Sequence, residues 1–191
     1  EIEGFEADDI IGSYSNLASK LKISSLIVSS DKDLMQLVNE KVEMLDPMKN
    51  KKIGIPEVIE KFGVEPKKVI QIQALTGDKV DNIPGAPGIG PKTALELIKE
   101  FGDIENLIKN ANKIKQEKRK NIIKDSQDDI RVSLKLVSLD KEIDLPIAIQ
   151  DIKPFVEIID NQKSINNFLQ EQGFRAIEQR LQNNSFINIS K

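Results

Sequence analysis

Apolar positions Ala7, Ile10, Ile11, Tyr14, Leu17, Ala18 and Leu21 recur at helical spacing, predicting a helix over 6–21 with one buried stripe. The period then changes. Residues 24–29 read Ser-Ser-Leu-Ile-Val-Ser, a short β-branched run that predicts a buried strand. Ser30 and Asp31 offer caps for a helix running to about Val38. Val42 to Leu45 predicts a second strand, closed by Asp46-Pro47. Pro56 opens a helix to about Phe62, where Gly63 ends it, and Pro66 opens the next, to about Leu75. Strands alternating with helices argue for a parallel α/β layer.

From residue 76 the pattern is different. Gly77, Pro84, Gly85, Pro87, Gly88, Gly90 and Pro91 crowd one short stretch, and helical patterns follow at about 91–101, 103–110, 113–124 and 126–138. After Leu139 the pattern loosens, broken by Pro146 and Pro154, until an amphipathic helix around 162–171 and Gly173-Phe174-Arg175. The expected division is an α/β layer over 1–75, a helical region over 76–145 and a tail over 146–191 that carries a packing helix.

Composition narrows the chemistry. Cys and His are both absent from the 191 residues. Disulfides, thiolate catalysis, the usual general base and the usual zinc ligand are thereby excluded. Any metal chemistry must run on oxygen ligands, which suit Mg²⁺ or Mn²⁺. Neither an apolar run long enough to cross a bilayer nor a signal-like opening occurs, so a cytoplasmic protein without a membrane partner is expected. Charge is uneven: residues 1–40 sum to −5 and residues 92–135 to +3. That asymmetry fits a metal site followed by a phosphate-binding surface, or chance variation of solvated charge. The chain opens at Glu1, without Met, directly before a helix signal; a fragment or a processed form is expected.

Three carboxylate clusters carry the chemistry. Gly4-Phe5-Glu6-Ala7-Asp8-Asp9 sets three acids at a helix start, where the positive dipole end and free N–H groups also favour them. Glu6 and Asp9, three apart, share a face, and a cation between them would relieve their repulsion. Asp31 and Asp33 lie just past the first strand, where ligands bind in open α/β sheets. Helix capping is their alternative role. Asp78 and Asp81 lie in Thr76-Gly77-Asp78-Lys79-Val80-Asp81-Asn82-Ile83-Pro84-Gly85, again three apart, in a stretch that also reads as turn chemistry. Together Glu6, Asp8, Asp9, Asp31, Asp33, Asp78 and Asp81 suit two hard cations about 4 Å apart, the arrangement that cleaves phosphodiesters.

The glycine-rich stretch Gly85-Ala86-Pro87-Gly88-Ile89-Gly90-Pro91-Lys92-Thr93 ends one helical region and opens another. Its glycines permit close backbone approach, the N–H groups of the following helix start bind anions, and Lys92 adds a cation. This describes a helix-hairpin-helix that grips a DNA phosphate without reading bases, through Gly85, Gly88, Ile89, Gly90, Lys92 and Thr93; a tight turn between packed helices is its alternative. It is no P-loop, because the Gly-Lys-Ser/Thr ending is absent and no strand precedes it.

In this order and spacing, Gly-Phe-Glu-Ala-Asp-Asp, Ser-Ser-Asp-Lys-Asp-Leu, Leu-Thr-Gly-Asp-Lys-Val-Asp-Asn-Ile-Pro-Gly and Gly-Ile-Gly-Pro-Lys-Thr-Ala resemble the 5′-nuclease domain of bacterial DNA polymerase I, in the flap endonuclease family. The resemblance covers nearly the whole chain, with 162–181 similar to that domain's C-terminal helix. It implies an α/β fold: a partial parallel-sheet, PIN-like nuclease core followed by an all-α, SAM-like helix-hairpin-helix region. It implies a two-metal 5′-3′ exonuclease and flap endonuclease that removes 5′ ends, flaps and RNA primers from duplex DNA in replication and repair. Glu6, Asp8, Asp9, Asp31 and Asp33 would be metal-site carboxylates, with Asp78 and Asp81 completing a second metal site. The hairpin would also take K⁺ through its carbonyls, and a polymerase domain would follow covalently. The family's first strand with its catalytic Asp, a second early Asp and a basic helical arch have no counterpart in this sequence. The competing readings are a non-catalytic helix-hairpin-helix DNA-binding module and an RNA-cleaving domain, which would leave the hairpin unexplained.

Overall fold

The computed structural model describes residues 2–152 and 162–183. The expected break at Pro154 and the end of the tail lie outside them. Residues Glu1–Ile149 form one compact unit and Gln150–Lys191 another.

The first unit opens with α1 (Ala7–Lys20), close to the expected bounds. Its most buried residues are Gly12, Ser13, Ser15 and Ala18, whereas Ile10, Ile11, Tyr14 and Leu17 are only half-buried. The reason is the irregular segment after residue 138, which lies along this helix and is held by polar contacts. The Ile143 N–H donates to Ser13 Oγ at 3.2 Å, Asn16 Nδ2 donates to the Lys141 carbonyl at 2.9 Å and the Tyr14 hydroxyl to the Ile147 carbonyl at 2.9 Å. Small residues at 12 and 13 let that backbone approach.

Strands β1 (Ser25–Val28) and β2 (Val42–Asp46) pair in parallel, as the alternating pattern predicts. A third strand, β3 (Lys51–Ile53), pairs antiparallel with β2, so the sheet is mixed, in the order β1-β2-β3. The sequence gives β3 only three residues and two of them are lysines, too little for a periodicity signal. Strand β1 is buried on one face only: Ile27 is buried, but Leu26 and Val28 are exposed. A short 3₁₀ turn, Asp33–Leu37, replaces the α-helix expected after β1. There Asp31 Oδ1 accepts the Asp33 N–H at 2.8 Å, an Asx-type turn that tightens the chain before a full helical turn forms.

α2 (Ile55–Phe62) stops at Gly63, and α3 (Val69–Thr76) follows a 3₁₀ turn opened by Pro66. Then come α4 (Pro91–Phe101), α5 (Ile104–Lys109), α6 (Glu117–Asp125) and α7 (Gln127–Val137), each within a few residues of its expected place. Two apolar cores result. One, with Ile27, Leu34, Val42, Met44, Val58 and Val69, lies under the sheet; the other, with Ile72, Leu75, Leu97, Ile98, Leu107 and Ile130, fills the helical region. Phe62 packs against both and joins them.

In the second unit, α8 (Gln162–Glu171) and α9 (Arg175–Asn183) turn at Gly173. Phe168 and Phe174 meet edge to face, centroids 6.4 Å apart. Among the described residues no helix is long and apolar enough to cross a membrane.

Candidate metal centre and hairpin

Three segments far apart in the chain meet at the carboxyl end of β1. Glu6 and Asp8 come from the start of α1, Asp31 and Asp33 from the turn after β1, and Asp81 from the loop after α3. All five line one cleft of about 350 Å³, walled on its other side by Ile83, Leu136, Val137 and Leu139. Asp33 also lines a neighbouring cleft of about 420 Å³ with Lys32, Lys61, Gln73, Asp78, Gly90 and Pro91. That second cleft runs from the acids to the start of α4.

The clustering is electrostatically costly. Burial pushes the Asp8 carboxyl above the usual range, and the charges of Asp31, Glu6, Asp33 and Asp9 add to it. Burial does the same to Asp33, with Asp31 adding, although Lys32 and a hydrogen bond from Gln73 pull the other way. Crowded carboxylates stay ionised more easily beside a cation, and a set made wholly of oxygens fits a hard divalent ion. In residue type, though not in closeness, the set suits a hard divalent cation. Among the described residues no three carboxylates converge closely enough to hold an ion by themselves.

Two of the seven sequence candidates face elsewhere. Asp9 Oδ1 accepts the Asp140 N–H at 2.9 Å and its Oδ2 the Glu6 N–H at 3.3 Å, so it ties α1 to the segment after α7. Asp78 accepts the Val80 N–H at 2.9 Å and pairs with the Lys32 ammonium. That hydrogen bond from Lys32, followed by the one from Val80, holds the Asp78 carboxyl below the usual range. The loop bearing Asp78 and Asp81 is closed at its base by paired backbone bonds between Asp78 and Ile83, of 3.0 and 2.7 Å.

Below that loop the chain turns sharply into α4. Gly77 and Gly85 cross so closely that a Cβ on Gly85 would lie 2.5 Å from the Gly77 nitrogen. Ile89 and Ala86 are buried under the hairpin, Gly88 and Lys92 are exposed and Thr93 is half-buried. Gly90 stands just before the first turn of α4, with Pro91 in it.

Three polar side chains that sequence reasoning passed over hold this arrangement. Ser133, wholly buried on α7, accepts the Gly85 N–H at 2.8 Å. Gln36, 5% exposed, donates to the carbonyls of Asp33 (3.0 Å) and Val137 (2.9 Å) and accepts the Leu139 N–H (3.3 Å), pinning the acidic turn to the end of α7. Gln73 donates to Asp33, while its Oε1 is buried without a partner. Their only sequence signal is a polar residue within an otherwise apolar helix face.

An acid-lined cleft thus lies at the end of a mixed sheet, beside the glycine-rich hairpin that opens α4. Residues 1–63 match the family described as 5′-3′ exonuclease, N-terminal resolvase-like domain, and residues 64–162 the one described as 5′-3′ exonuclease, C-terminal SAM fold. The chain belongs to the 5′-3′ exonuclease family. It is 48% identical over 181 residues to the DNA polymerase I of Rhizobium leguminosarum, covering 95% of this chain and 18% of that protein. To the 5′-3′ exonuclease of Aquifex aeolicus it is 41% identical over 153 residues, 80% of this chain and 52% of that one. It thus spans at most about half of these relatives. Among solved structures, the phage T5 5′-exonuclease superposes with TM-score 0.68 at 28% identity, over 73% of this chain and 57% of that one. The T5 enzyme has been solved with divalent zinc, and as a flap endonuclease with DNA and metal ions.

Proposed function

We propose that this chain is the acid-site and helix-hairpin-helix part of a 5′-3′ exonuclease and 5′-flap endonuclease of the DNA polymerase I type, acting on duplex DNA with 5′ ends or flaps and on RNA primers. The observation that carries this is the single cleft lined by Glu6, Asp8, Asp31, Asp33 and Asp81, opening beside Asp78 and the hairpin. Two Mg²⁺ or Mn²⁺ ions bound there would supply an activated water and neutralise charge on the phosphate and leaving oxygen. Glu6, Asp8, Asp9, Asp31 and Asp33 would supply carboxylates to the metal site, and Asp78 and Asp81 would complete its second position. Carboxylates that do not close a cage leave coordination positions for water and substrate phosphate, which suits Mg²⁺. Ile83, Leu136 and Leu139 give the cleft an apolar wall on one side. Gly85, Gly88, Ile89, Gly90, Lys92 and Thr93 would grip the duplex backbone, with K⁺ on the hairpin carbonyls. A covalently following polymerase domain and a cytoplasmic location accord with this reading.

The test has two arms. Mn²⁺ titration of the chain should give saturable binding that Asp31→Asn weakens at least tenfold; acids with only capping roles would give neither result. Binding to a 5′-flap duplex should be insensitive to sequence and fall steeply with salt. Lys92→Ala should lower the salt slope by about one unit. DNA binding of this kind without Mn²⁺ binding would instead identify a non-catalytic DNA-binding module.

A further inference from the structure

The Lys32 side chain is in an unusual place for a cation. It is adjacent in sequence to Asp31 and Asp33, yet its ammonium crosses to Asp78, 46 residues away. The Asp78 side chain is only 19% exposed. Lys32 and Asp78 line one cleft together with Asp33. The Lys32 ammonium engages the carboxylate oxygen of Asp78 that the Val80 amide leaves free.

We propose that Lys32 is a resident counter-cation of the second metal position: its ammonium holds Asp78 until a divalent ion displaces it. This rests on the metal-site reading above. Two cations cannot share one carboxylate oxygen at contact distance in a cleft this size without strong repulsion. Binding of an ion at Asp78 is therefore an exchange, in which the Lys32 contact is lost as the ion contact forms. The pair keeps the loop of Asp78 and Asp81 in position beforehand, and the exchange weakens net affinity for the ion. A freed Lys32 remains on the wall of the cleft that leads to Gly90 and Pro91.

The experiment is Mn²⁺ titration, by calorimetry or by the loss of free Mn²⁺ resonance, on the whole 191-residue chain. The variants are Lys32→Gln, Asp78→Asn and their combination. The ion pair is partly exposed, so Lys32→Gln should tighten the weaker Mn²⁺ site by about two- to fivefold. In the Asp78→Asn background the same change should have no effect, because the contact it removes is already gone. Lys32→Arg keeps a cation on Asp78 and should give no tightening. Lys79→Gln, at an exposed lysine nearby, should change affinity by less than Lys32→Gln. An unchanged or weaker site in Lys32→Gln overturns the proposal. So does tightening that persists beside Asp78→Asn, which would mark a general field effect. Absence of any Mn²⁺ binding by the wild-type chain would instead overturn the metal-site reading itself.

Discussion

Ser133 shows how much one hydroxyl can hold. It is fully buried, and its oxygen accepts the Gly85 N–H at the start of the hairpin turn. Replacing it with Ala leaves that amide buried and unpaired, at a cost of about 1–3 kcal/mol. Urea unfolding of Ser133→Ala should register that loss, and a change below about 0.5 kcal/mol would mean that water reaches the amide. Asp46 gives a pH-dependent counterpart at the sheet hairpin. Burial pushes its carboxyl upward, but amide bonds from Lys49 and Met48 and the Lys49 ammonium outweigh that, and the net shift is downward. A carboxyl depressed in the folded state adds stability above its unfolded pKa of about 3.9 and loses it as pH falls through the folded value. Asp46→Asn should therefore be less stable than the parent at neutral pH, and the gap should close on acidification below about pH 4. A gap of constant size across that window would assign the effect to hydrogen bonding alone.

At the scale of elements, the hairpin and the acidic turn each depend on a contact that fixes a short irregular segment. Gly85 has φ +62° and abuts the Gly77 backbone, whereas Gly88, φ +82°, has open space around it. Both Ala substitutions meet the left-handed penalty of about 1–2 kcal/mol, but only Gly85→Ala must also push backbone apart. Gly85→Ala should be the more destabilising of the two and should weaken DNA binding; equal effects would show that the turn can open freely. The acidic turn depends on Gln36. Gln36→Leu would strand the Val137 carbonyl and the Leu139 N–H, with an expected loss on the order of 3 kcal/mol. It should also weaken Mn²⁺ binding, since Asp33 is in the same turn, and an unaffected Mn²⁺ isotherm would separate the two roles.

Over the whole first unit, protection should be unequal. The helical region has the larger continuous core, while β1 has exposed Leu26 and Val28 and no partner on its outer edge among the described residues. Hydrogen exchange should be faster over residues 1–50 than over 66–138. Uniform protection would show that the two cores open as one. Mn²⁺ at a hundredfold excess over its dissociation constant should stabilise the chain by about 2.7 kcal/mol, seen as a higher Tm. Asp31→Asn should reduce the rise.

The long elements and the order of the motifs follow from local chemistry along the chain. α1, α4 and α7 are legible because helical periodicity and caps are local, and a proline or glycine marks an end without reference to anything distant. The sequence also determined the oxygen-only chemistry, since neither His nor Cys is present. Tertiary structure alone decided the rest. β3 exists because β2 offers it an edge, and the most buried face of α1 is small and polar because the segment around Asp140 settles on it. Of the seven candidate acids, five share a cleft, Asp9 turns to a distant amide and Asp78 to Lys32. A carboxylate's spacing says which face of its own turn it occupies. What it meets there is set by chain that arrives from 46 to 131 residues away, and only packing brings that chain in.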